Sequence, residues 1–73
     1  MTTMIEHWTE TVTDAENLVR AFMFDYNPMK GDKVAQERAA RFAARCETGV
    51  ESFWSAMLAW YPHSEIARFR GEA

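Results

Sequence analysis

An all-α fold is expected, a helical hairpin of two long antiparallel helices followed by a short C-terminal helix. Apolar residues recur at steps of three and four over residues 3–26 and again over 32–61, Pro28 and Pro62 close the two runs, and strand alternation fits both much worse.

At 100° per residue the first run places Met4, Ile5, Trp8, Val12, Ala15, Leu18, Val19, Phe22, Met23 and Tyr26 on one face. Glu6, Glu10, Asp14, Asn17 and Arg20 lie away from it. Two start signals compete, Thr3 with Glu6 and Thr13 with Glu16, each a box in which hydroxyl and carboxylate satisfy orphan N–H groups. The earlier start is preferred; it buries Trp8, which the later one leaves in a lead-in segment. An irregularity is expected near TETVT, whose β-branched residues lose rotamer freedom in a helix.

Asn27 and Pro28 stop this helix, Gly31 loosens the turn and Asp32 is a good N-cap for the second. The core face of the second run is Ala35, Ala39, Phe42, Cys46, Val50, Phe53, Met57 and Trp60. Gly49 interrupts it at a propensity cost of about 1 kcal/mol relative to alanine, either as a tolerated surface residue or as a point of close backbone approach. A third helix is expected from Ser64 to about Arg70, with Ile66 and Phe69 turned inward and Gly71 as its stop.

The stretch VESFWSAMLAWYPH, residues 50–63, is the most apolar part of the chain. Trp54, Leu58 and Tyr61 widen its apolar arc beyond what one partner helix covers, so cover from more than one direction is expected. The two helices would also differ in length, about 36 Å against about 45 Å. An antiparallel homodimer closing a four-helix bundle answers both points, with Trp54 and Leu58 between chains and Phe53, Met57 and Trp60 facing the first helix. The alternative is a three-helix monomer in which Ile66 and Phe69 cap the aromatic end.

The 73 residues, 48% hydrophobic and 26% charged, are expected to form a single helical domain over 1–73. So small a core commonly needs a disulfide, a metal or a second subunit. Cys46 is alone and the only histidines are His7 and His63, so neither a disulfide nor a zinc site is expected. A single thiol, and Glu6 where a secretory leader carries basic residues, point to the cytoplasm. The longest nearly apolar run is about half of the roughly 20 residues a membrane span needs.

No nucleophile elbow, phosphate loop, dinucleotide fingerprint or zincin motif is present, so neither an enzyme nor a cofactor is expected. The densest polar cluster, YPHSE, reads as a solvated turn and first helical turn, and Cys46 as a small buried hydrophobe. Charge is uneven: −4 over residues 1–27, +3 over 28–46 and −2 beyond, −3 in all. Arg38, Arg41 and Arg45, with Lys30 and Lys33, form a basic strip that either pairs with the first helix or meets an acidic protein surface or phosphates. The acidic total opposes general nucleic-acid binding.

What remains is a non-catalytic helical interaction protein, an adaptor, regulator or inhibitor that covers part of another protein. Its size suits an accessory protein of phages or mobile elements. Expected partner-binding residues are Arg38, Arg41, Arg45, Trp54, Leu58, Trp60 and Tyr61. Two alternatives stand beside it: a small DNA-binding regulator using the strip or the C-terminal helix, where Arg68 and Arg70 would approach bases, and a helical subunit of a larger complex.

Overall fold

Each expected long helix is divided in two in the computed structural model, which describes residues 4–72 and the side chains of residues 7–72. The first run gives α1 (Met4–Thr11) and α2 (Ala15–Asp25), the second gives α3 (Asp32–Ala44) and α4 (Val50–Met57), and α5 (His63–Arg70) follows Pro62. A single 3-10 turn, Pro28–Lys30, joins α2 to α3. The described residues contain no strand, so the fold is all-α, and the hairpin of two long helices is corrected to five short ones. The Thr3 start signal and the side chains of Met4, Ile5 and Glu6 lie outside the described residues.

The first break has a local cause. The Thr11 hydroxyl turns back to the carbonyl of His7 at 3.0 Å, and Asp14 begins the next helix by accepting hydrogen bonds from the Asn17 backbone N–H at 3.1 Å and its side-chain amide at 3.0 Å. Asp14, and not Thr13 of the competing later start signal, is therefore the N-cap of α2; a carboxylate also gains from the helix dipole. Those bonds from Asn17 hold the Asp14 carboxyl below the ordinary aspartate pKa.

The second break rests on Gly49, whose φ of +104° no L side chain adopts readily and which precedes α4 directly. Gly31, at φ +88°, takes the cap position before α3 that Asp32 was expected to fill, and leaves the Asp32 carboxylate for other use. Gly71 at φ +75° ends α5, with the Glu72 N–H reaching the Ala67 carbonyl at 2.8 Å and the Gly71 N–H reaching that of Arg68 at 3.1 Å.

The two breaks meet. The Glu47 N–H donates to the Thr13 carbonyl at 2.9 Å, the Thr13 hydroxyl lies 3.3 Å from the Glu47 carboxylate, and Val12 and Cys46 are both buried beside them. A backbone N–H of the second interruption thus finds its acceptor in a carbonyl of the first.

α2 packs on α4, and α3 touches α2, α4 and α5. The shortest dimension of 18 Å corresponds to two helix diameters. Leu18, Val19, Ala21, Phe22, Phe53 and Met57 are fully enclosed, joined by Ala35, Ala39, Phe42, Ala43, Ile66 and Phe69. At one end Phe22, Tyr26, Tyr61 and Phe69 form an aromatic cluster in which Phe22 stacks on Tyr26 and the other pairs meet edge-to-face, with Phe69 5.1 Å from the rings of both Phe22 and Tyr61.

Candidate functional site

Groups able to do chemistry are scattered. His7 and His63 are exposed on α1 and at the start of α5, Glu65 of the YPHSE cluster is engaged by Arg68 at 2.8 Å, and Cys46 is buried with its sulfur 3.4 Å from the Thr48 hydroxyl. Among the described residues no group of three or more His, Cys, Asp or Glu could hold a metal ion, and no buried side-chain polar atom lacks a hydrogen-bond partner. A groove of about 470 Å³ lies between Gln36, Glu37, Ala40, Trp54, Phe69, Arg70 and Glu72. Its Arg70 and Gln36 are occupied, the first by Glu51 and Glu72 and the second by the Arg68 carbonyl.

The arginines of the strip separate by role. Arg38 binds both the carboxylate of Asp25 at 3.1 Å and its carbonyl at 3.0 Å, closing the C-terminus of α2. Arg45 donates to the carbonyls of Thr9 and Val12 at 2.6 and 2.7 Å while lying over the Phe42 ring, and so clamps the end of α1 onto α3. Arg41, exposed beside Glu10 and Asp25, has no ion pair among the described residues. Arg68 and Arg70 on α5 are each held by two carboxylates, Arg68 by Asp32 at 2.6 Å and Glu65, Arg70 by Glu51 at 3.0 Å and Glu72 at 3.2 Å. The hydrogen bonds they donate to Asp32 and to Glu51, respectively, raise the pKa of these guanidiniums.

The apolar stretch divides at Met57. Phe53 and Met57 are enclosed in the core as expected, and Trp54, expected between chains, is buried within this one at 7% exposure, under the Arg70 guanidinium 5.1 Å from its ring centroid. Helix α4 then gives way to a tight turn in which the N–H groups of Leu58, Ala59 and Trp60 each reach back three residues, at 3.2, 3.2 and 3.0 Å. That tightening turns Trp60, expected to face the first helix, outward to 53% exposure and leaves Leu58 at 45%. Tyr61 swings inward to the aromatic cluster, where burial, then the neighbouring Tyr26 and Glu65, push its phenol pKa up.

Trp60 and Leu58 thus stand on one hydrogen-bonded turn between two shallow grooves. Trp60 borders one lined by Glu16, Arg20, Ala56 and Ala59; Leu58 borders one lined by Glu51, Trp54, Ser55, His63, Ile66 and Arg70. Glu16, Arg20 and the 62%-exposed Phe24 were not among the expected site residues. The available signal was Phe24 itself, a large apolar residue off the apolar face of its helix. No protein-family model, curated protein or solved structure matches this chain.

Proposed function

We propose that this chain is a small non-catalytic helical interaction protein, an adaptor, regulator or inhibitor that covers a surface of a partner protein and itself forms a homodimer. The observation that carries the reading is the turn at residues 58–60, where Leu58 and Trp60 stay about half exposed on a backbone fixed by its own hydrogen bonds. A rigid turn presenting tryptophan and leucine supplies the kind of anchor that dominates protein interfaces, with little ordering entropy lost on binding. Arg41 adds an exposed basic group that makes no ion pair among the described residues. The thiol of Cys46 suits a reducing compartment such as the cytoplasm, and among the described residues no helix is long and apolar enough to cross a membrane.

The DNA-binding alternative draws less support. Arg38 and Arg45 serve the chain's own helix ends, and Arg68 and Arg70 already hold carboxylates. A photo-crosslinking residue at position 58 tests the reading in host extract, with position 47 as control. One partner protein captured from 58, absent from 47 and lost on Arg41→Glu, is the expected result. Capture of DNA, or the same adducts from both positions, contradicts it.

A further inference from the structure

Leu58 and Trp60 are two residues apart but look over different grooves, and the Trp60 groove has a composition that selects its occupant. Its floor is Ala56 and Ala59, its wall is the Trp60 ring, and its charged lining is Glu16 and Arg20 on α2. Two alanines let another backbone come close. Glu16 and Arg20 stand at the i, i+4 spacing that favours a pair within one helix. Among the described residues they make no ion pair, and the Arg20 guanidinium reaches only the Asn17 side-chain oxygen at 3.3 Å. Both are exposed, and Phe24 lies one turn beyond on the same side of α2 at 62% exposure.

The geometry points to this face as a homodimer contact: α2 of one chain lies antiparallel on α2 of a second copy, Trp60 packs against the partner's Trp60 near a two-fold axis, and Glu16 meets the partner's Arg20 on either side. A two-fold rotation sends each residue of such a contact onto its complement, so a patch carrying one acid and one base a turn apart matches itself when antiparallel. A parallel arrangement would set like charges together. The lining is also locally neutral in a chain of net charge −3, which makes it a place where two copies approach without mutual repulsion. This assignment deepens the interaction reading by naming the occupant of the Trp60 side, and it leaves Leu58 and the α4–α5 groove for the other protein.

Sedimentation of the full chain up to about 1 mM tests it, with circular dichroism as the control for folding. The wild type should form a dimer, and Glu16→Arg or Arg20→Glu alone should weaken that dimer at least about tenfold while helicity is kept. An equimolar mixture of the two variants should recover it, because the first presents two bases and the second two acids to each other. Trp60→Ala should leave a helical monomer. A wild type that stays monomeric throughout, or a dimer indifferent to the charge reversals, or variants that fail to recover on mixing, would overturn the assignment. Crosslinking from position 58 reports on the heterologous partner separately, so loss of the dimer and loss of that partner are distinguishable.

Discussion

Phe53, Trp54 and Met57 on α4 and Leu58, Ala59 and Trp60 on the turn after it are similarly apolar, yet the first three are buried and the last three face water. What differs is the structure opposite. α4 is flanked by α2 and α3, and Arg70 of α5 closes over Trp54, whereas the outer side of the turn meets only the two shallow grooves. The same side chains therefore contribute to stability in one segment and are available for recognition in the next. A protein this small buries only about 60% of the surface its unfolded chain exposes, so where the uncovered apolar residues stand carries information.

The largest expected effect breaks the inner half. Phe53→Ala removes an enclosed ring, at a cost of about 3–5 kcal/mol against a typical total of about 5–15 kcal/mol. Thermal unfolding followed by circular dichroism should show a molten or unfolded chain; a cooperative transition near that of wild type would contradict the burial.

Next comes the clamp on α1. Arg45→Met keeps the stem over Phe42 but removes both hydrogen bonds to the Thr9 and Val12 carbonyls, a loss of about 2 kcal/mol. Amide exchange should accelerate across residues 4–11 while α2 to α5 keep their protection, and uniform acceleration would mean that α1 is not a separately held element.

On the outer half, Leu58→Ala should change stability by no more than about 0.5 kcal/mol in dilute solution, as for a surface position, and a denaturant midpoint shifted much further would place Leu58 in the core. The smallest effect concerns pH. The Asp14 carboxyl has a depressed pKa in the folded chain, so its stabilisation is complete above the unfolded value of about 3.9 and fades as pH falls through the lower folded value. Asp14→Asn retains a side-chain acceptor for the Asn17 N–H but cannot titrate, so its stability should fall less steeply below about pH 4 than that of wild type.

Much of the core was legible in the sequence, because helical period reports which side chains share a face. Val12, Leu18, Val19 and Phe22 of the first run, and Ala35, Ala39, Phe42, Cys46, Phe53 and Met57 of the second, are buried as their spacing indicated, whereas Trp8 and Val50, expected on the same faces, are exposed; Ile66 and Phe69 close the aromatic end. The helix breaks were legible only in part. TETVT and Gly49 marked the places, but the two interruptions are tied across 34 residues, the Glu47 N–H to the Thr13 carbonyl and the Thr13 hydroxyl to the Glu47 carboxylate, a relation no local window contains.

The roles of the aromatic residues were the least legible. Projection at 100° per residue holds only while the α-helix lasts, and after Met57 the tighter turn carries Trp60 out and Tyr61 in. Trp54 was misplaced for a different reason: its cover comes from Arg70 on another helix, held in place by Glu51 and Glu72.

The division of the apolar stretch at Met57 is tested most directly by unfolding Trp54→Ala and Trp60→Ala side by side in guanidinium, at a concentration low enough that association contributes nothing. Trp54→Ala should lose about 3 kcal/mol and Trp60→Ala no more than about 0.5 kcal/mol, with Trp60→Ala keeping the wild-type helical spectrum. Equal losses, or a larger loss at Trp60, would contradict it and return Trp60 to the core.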